Sequence, residues 1–463
     1  MYIERLTLRD IKGFGEAEFD FRRPDGSLAG WNVLAGRNGS GKSTVLKTIA
    51  MVLRGPQYAP KMEIDFGGWV RQRAKSGGID AIIHFDPHGD QFQKSPGDRR
   101  RLELGLELDV FFQAHADSFV AMDSDVHTAL VASGSKTALE LARKGPWLAI
   151  PGTGWMLAGY GPFRRLRGES RDAHKVMSDT SGVGSVATLF REDASLIDGS
   201  IWAQDLWTRH QLREAQRSKR KRPGTLAGAD LLSGVGRLIE HGLLPDGIRW
   251  AGVDDEGVWF QQGSFRLRLE QLSDGFRSTL ALLLDLLRQL QLTYGSTQLI
   301  EHGSEVPHVP HPGVVLIDEA ETHLHPGWQQ RLGPWLVQHF PNLQFIVTTH
   351  SPFICQSASE GGLFKLEPPG SEEPVRKLDD DEFWRVVNGS ADDALLTSLF
   401  GLEQSHSQHS ERLRDELARL GVKQLRTRLT KKEQARLHEI ERQLPTGPGP
   451  EIEKLLRVRQ KED

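Results

Sequence analysis

Cysteine is nearly missing: Cys355 is the only one in 463 residues. A single thiol can form neither an internal disulfide nor a cysteine-based zinc site, so a reducing, cytoplasmic setting is expected. Long apolar runs are missing too, and none approaches the roughly 20 residues that cross a bilayer. Met1-Tyr-Ile-Glu-Arg-Leu6 has no basic stretch leading into an apolar block, so neither a signal peptide nor a membrane role is expected. Charge of one sign is not in excess, since 58 basic residues face 62 acidic ones for a net −4. Composition therefore does not mark a nucleic-acid binder, and any such surface must be a local patch. Internal repeats and long heptad arrays are also lacking.

What is present fits a globular protein. Hydrophobic residues make up 38% and charged residues 26%, outside the range of disordered chains. The length allows two or three domains with a large core. Alternation predicts a strand over 2–9 and another over 30–35 that runs into a glycine-rich turn. Val45, Leu46, Ile49 and Leu53 share one face of a helix beginning at Lys42. Strands are predicted over 79–85 and 102–112, a helix before Gly145-Pro146, and a strand over 157–168. From about 166 to 290 the chain reads as mostly helical, with a basic stretch at 217–224. The continuous apolar runs at 314–320 and 343–350 read as buried parallel strands covered on both faces. The tail from 388 is polar and helical. Leu413, Leu417 and Leu420 line one of its faces, and Thr430 to Glu433 form a capping box.

Gly36-Arg-Asn38-Gly39-Ser40-Gly41-Lys42-Ser43, followed by Thr44, fits the phosphate-binding pattern G-x-x-x-x-G-K-[ST] between a strand and a helix. Glycines let backbone N–H groups wrap phosphates, and the helix N-terminus adds a positive end. Lys42 is placed to neutralise β- and γ-oxygens, and the Ser43 hydroxyl to hold Mg²⁺. Four apolar residues, Val314 to Ile317, deliver Asp318 and Glu319 at a strand end. Asp318 is the second candidate for Mg²⁺, directly or through water, and Glu319 the candidate general base toward water.

Leu272-Ser273-Asp274-Gly275-Phe276 runs into the apolar helix RSTLALLLDLL and resembles the signature of ABC-type ATPases, LSGGQ in its common form. Asp274 stands for a glycine and Phe276 for the glutamine. The whole chain resembles the RecF-like and Rad50-like ABC ATPases, and most of all the ATPase subunit, PtuA, of the Septu anti-phage system. The matching stretches are AGRNGSGKSTVLKTIA, GYGPFRRL, TLFREDASL, LSDGFRSTLA, VVLIDEAETHLHPGWQ and QFIVTTHSPF, together with the tail ALLTSLFGLEQSHSQHSERLRDELARL. About 230 residues between P-loop and signature are too few for long coiled-coil arms and more than transporter subunits usually carry. No Q-loop glutamine is evident; Tyr160-Gly-Pro-Phe-Arg164 occupies that place without an assigned role.

The resemblance implies an α/β fold: an ABC ATPase head with a mixed, mainly parallel sheet. Lobe I is expected over 1–165 and 291–387, a helical signature-bearing lobe II over 166–290, and a helical partner-docking tail over 388–463. It implies ATP and Mg²⁺ as ligands, His350 as a γ-phosphate sensor, and a homodimer or an assembly of dimers. Ser273, Asp274 and Gly275 would then meet ATP held by the other copy. It further implies control of a small HNH-type nuclease. RecF-like DNA repair and a slow-turnover ATP-binding scaffold remain alternative readings. This chain is not itself expected to cut nucleic acid. Leu378 to Glu382 offers acids but reads as a solvated helix start, and no HNH pattern is evident. His323 and His325 are read as part of a His-Pro turn rather than as metal ligands. His302, His308 and His311 are treated alike. Possible DNA contacts are Arg99 to Arg101, Arg164, Arg165 and Arg167, and Arg217 to Arg222, set against the ordinary role of charge runs as solvated surface.

Overall fold

Alternation along a few short strands organises the molecule. In the computed structural model, Trp31, Val33 and Ala35 of one strand enter one apolar core while Leu34 enters a second. Val315 and Ile317 divide in the same way from Val314 and Leu316, and Phe345 and Val347 from Ile346. A period of two with apolar residues at both parities requires a sheet covered on both faces. The structure describes the whole chain except residues 63–65, 67, 87–88, 94–95, 98, 114–124, 149–152, 165–181, 221–226, 245–246, 296–298, 302–304, 402–406 and 445–463.

Fourteen strands are described: β1 Tyr2–Ile11, β2 Phe14–Asp20, β3 Gly30–Gly36, β4 Ser76–His84, β5 Arg101–Gln113, β6 Asp125–Ser133, β7 Leu157–Tyr160, β8 Ile248–Asp254, β9 Gly257–Gln262, β10 Phe265–Arg268, β11 Gly313–Ile317, β12 Leu343–Thr349, β13 Leu363–Leu366 and β14 Val375–Lys377. The central sheet has the order β14-β13-β3-β12-β11-β7. All its pairs are parallel except β13 with β14. The α/β expectation therefore holds, as a mixed sheet that is mainly parallel.

One core joins this sheet to the helix Lys42–Arg54 and to the antiparallel sheet β2-β1-β4-β5-β6. The other core joins its second face to the signature helix Asp274–Tyr294, where Leu280 to Leu284, Leu286, Leu287 and Leu290 are buried, and to the helix Pro326–His339. A buried amide ties two sheets together. The Gln344 side chain accepts from Ile3 N at 2.7 Å and donates to Ile3 O at 2.8 Å, replacing a missing ladder partner.

Several expectations need correction. The stretch 166–290 is not uniformly helical, because β8, β9 and β10 form an antiparallel three-stranded sheet within it. Gly257 and Gly263, both at positive φ, sit at the turns that fold it back. The strand expected over 157–168 ends at Tyr160, because Gly161-Pro162 breaks it; residues 165–168 lie outside the described part. β2, β6, β13 and β14 went unread. The compact division falls after Phe400 rather than at 388, giving units Met1–Phe400 and Gly401–Asp463. Val386, Ala394 and Leu399 are buried in the larger unit's core, which explains the shift. Within the second unit, the helices Gln408–Arg426 and Lys431–Gln443 close on Leu413, Ile440 and Leu444. Thr430 and Glu433 cap the latter reciprocally. Among the described residues, no helix is long and apolar enough to cross a membrane.

Candidate functional site

Three parallel strands carry the candidate groups to one edge. β3 ends at the phosphate-binding loop, β11 at Asp318, and β12, which lies between them, at His350. In open parallel sheets the carboxyl ends of strands are where ligands bind.

The loop is built for close approach. Gly39 and Gly41 take φ of 78° and 89°. A Cβ on Gly41 would lie 2.6 Å from the Phe14 ring, and one on Gly36 would lie 2.5 Å from Leu366 O. Lys42 is buried, and its ammonium donates to Gly36 O at 2.9 Å and Arg37 O at 3.0 Å, closing the loop on itself. Burial lowers its pKa, opposed by Asp318, Glu321 and Glu319 in that order. These carboxylates therefore act on the ammonium across the strand ends. Ser40 is buried, Ser43 exposed and Thr44 half-buried, and Asn38 and Gly39 are exposed on the loop.

Thr348 links the acids. Its hydroxyl donates to Asp318 Oδ1 at 2.5 Å and accepts from Glu319 N at 2.8 Å. Glu319 takes a left-handed backbone, φ 46°, which is unusual for a residue with a long side chain. Its Oε2 accepts from the Thr322 hydroxyl at 3.3 Å. Glu321 went unread in the sequence, yet it fixes the end of β12. Its Oε1 accepts from His350 N at 2.6 Å and its Oε2 from the Thr349 hydroxyl at 2.7 Å. Partial burial and then Lys42 lower the His350 pKa below its ordinary 6.5, opposed by Glu321, Glu319 and Asp318. The ring is therefore neutral at pH 7. Arg164, expected among the possible DNA contacts, is not available to one: it is buried, and its guanidinium donates to the carbonyls of Asp318 and Glu319.

The signature residues meet a different part of the same chain. Ser273 is the N-cap of its helix and Asp274 pairs with Arg277. A Cβ on Gly275 would fall 2.6 Å from His323 O, and Phe276 meets Trp328 edge-on at 6.0 Å. Ser273 and Gly275 share an open cleft with His323, His325 and Arg331, while Asp274 and Arg277 share a second one with Arg164 and Glu319.

Other sequence candidates are less concentrated. His325 caps the helix Pro326–His339 through Nδ1, His308 pairs with Glu301, and His311 stacks on Tyr294. Among the described residues, no group of three or more His, Cys, Asp or Glu is arranged to hold a metal. Asp379 caps the helix Asp380–Asn388, so the acids from 379 to 382 form a helix start. Arg101 pairs with Glu4. His302, Arg165, Arg167, Lys221 and Arg222 lie outside the described residues, as do the side chains of Arg217, Lys219 and Arg220.

Two family models match the chain: "AAA domain" over residues 5–96, and "AAA domain, putative AbiEii toxin, Type IV TA system" over 231–356. The first contains the phosphate loop; the second contains the signature, Asp318, Glu319 and His350. A Septu protein PtuA of Bacillus mycoides is 24% identical over 86% of this chain and 44% of its own length. The Retron Ec83 probable ATPase of Escherichia coli is 41% identical over 22% of this chain and 17% of its own. The chain thus spans less than half the length of these relatives. A crystallised SMC head bound to the C-terminal winged-helix domain of ScpA aligns over 82% of this chain and 99% of its own, at 17% identity and a TM-score of 0.45. The chain is PtuA-like and carries the motif set of an ABC-type ATPase.

Proposed function

We propose that the chain binds ATP with Mg²⁺ at the loop Gly36 to Thr44 and hydrolyses it in a dimer, each ATP meeting Ser273, Asp274 and Gly275 of the other copy. The observation that carries this reading is the convergence of Lys42, Asp318, Glu319 and Glu321 at one edge of the parallel sheet. Backbone N–H groups and Lys42 suit a polyphosphate. The Ser43 hydroxyl and the Asp318 carboxylate are hard oxygen donors that suit Mg²⁺, which would neutralise charge on the phosphates. Thr348 orients Asp318. Glu319 accepts a proton from the attacking water, and neutral His350 hydrogen-bonds the terminal phosphate.

The Asp274–Arg277 pair supports approach of a phosphate to the signature. A bare carboxylate at the third signature position would repel a phosphate, and the guanidinium beside it offsets that charge. Phosphate release by wild type, Lys42→Ala and Glu319→Gln tests the reading. Wild type releases phosphate, Lys42→Ala fails to bind ATP, and Glu319→Gln binds without turnover. Wild-type turnover by Glu319→Gln would remove it as the base.

The likeness to Septu PtuA supports a further step: ATP state governs a small HNH-type nuclease in anti-phage defence, with no cleavage by this chain itself. Affinity capture from the native host tests it. A stoichiometric nuclease supports the step, whereas replication or recombination proteins without one support RecF-like repair.

A further inference from the structure

The segment Tyr160 to Arg164 is pinned more firmly than a surface loop requires. β7 pairs in parallel with β11 so that Tyr160 lies beside Ile317, and Asp318 N donates to Tyr160 O at 2.7 Å. At Gly161 a Cβ would fall 2.0 Å from Thr188 O, so no other residue fits without moving that backbone. The Thr188 hydroxyl donates to Gly159 O at 3.0 Å, adding a second tie. A turn follows, with Arg164 N donating to Pro162 O at 3.2 Å. It sends the arginine back toward the end of β11.

There the guanidinium donates to four carbonyl oxygens in one short stretch: Asp318 at 3.2 Å, Glu319 at 3.0 Å, Ala320 at 3.4 Å and Thr322 at 3.4 Å. Burial lowers its pKa to about 10, with Glu321, Asp318 and Glu319 opposing, so it stays charged at neutral pH. These carbonyls flank the one residue of the stretch, Glu319, that combines a left-handed backbone with the candidate catalytic carboxylate. A planar fork with several N–H groups can serve acceptors spread along a chain, whereas an ammonium is a point charge. Phe163 and Arg164 also line the cleft that Asp274, Arg277 and Ser278 of the signature helix enter.

We propose that Arg164 is a positioning residue that holds Glu319 and the segment through Thr322 in hydrolytic shape by binding their carbonyls. It does so from the place where the family's Q-loop glutamine would stand, and without being a ligand of the nucleotide. This rests on the ATP-hydrolysis reading above. The test compares wild type with Arg164→Lys, Arg164→Gln and Arg164→Ala. All three lose at least about tenfold in kcat, while affinity for a non-hydrolysable ATP analogue stays within about threefold. Lysine does not rescue. Hydrogen exchange at the amides of 318–324 speeds up in Arg164→Lys, whose retained charge guards against misfolding. Exchange is readable whether or not the wild type turns over ATP, so failure of the hydrolysis reading is distinguishable from failure of this one. Rescue of kcat by lysine, loss of analogue affinity, or unchanged exchange would each overturn the proposal.

Discussion

The Thr348 hydroxyl lies 2.5 Å from Asp318 Oδ1 and, in the same position, accepts the Glu319 amide at 2.8 Å. One side chain on β12 thus sets the two consecutive acids that follow β11. Thr348→Val keeps the shape and removes both bonds. Leaving a buried group unpaired costs about 1–3 kcal/mol, and losing an outer partner of a metal-binding carboxylate costs about 10- to 100-fold in activity. Thr348→Ser should restore most of both. Thermal melting and phosphate release check this outcome.

Gly41 has φ of 89° and faces the Phe14 ring. Gly41→Ala must either strain that backbone or displace the ring. A loss of about 1–3 kcal/mol is expected from the conformation, together with loss of ATP binding because the loop opens. Gly26 also has positive φ, but nothing lies near its missing Cβ. Gly26→Ala should therefore leave ATP affinity unchanged. Titration with a fluorescent ATP analogue separates the two.

His339 predicts a pH response. Its ring is fully buried, meets the Trp335 ring at 4.4 Å and the His241 ring at 5.0 Å, and shares a 2.6 Å hydrogen bond with Pro307 O. Burial lowers its pKa below 6.5, opposed by the hydrogen bond to the Pro307 carbonyl, while His241 acts in both directions, by charge and by hydrogen bond. The unfolded chain therefore takes up a proton that the folded chain refuses. The stabilisation is complete above an unfolded pKa of roughly 6.5 and declines as pH falls through it. His339→Asn removes the titration. The Tm gap between wild type and this variant should narrow from pH 7 to pH 5, as thermal melts across that range would show.

The sequence made the chemistry more legible than its support. Lys42, Asp318 and His350 end contiguous motifs whose strands are continuous apolar runs, so their meeting at one sheet edge followed from parallel pairing. Arg164, Glu321 and Thr348 act through long-range hydrogen bonds, and no local periodicity marks such partners. β8 to β10 are hard to see in the sequence because their turns, at Asp254 to Gly257 and Gln262-Gly263, are short and lie within a stretch whose neighbours are helical. The larger compact unit runs on to Phe400 because Ala394 and Leu399 are buried in its core among polar neighbours that hide them in the sequence.

The central claim, a site shared between two copies, is tested most directly by mixing two inactive variants. Lys42→Ala disables the phosphate loop and Ser273→Arg the signature, and each alone should release no phosphate. In a symmetric dimer, random mixing makes half the molecules heterodimers, each with one intact composite site, so roughly a quarter of wild-type activity should return. Recovery near that level supports the shared site. No recovery on mixing, or full activity in Ser273→Arg alone, would contradict it.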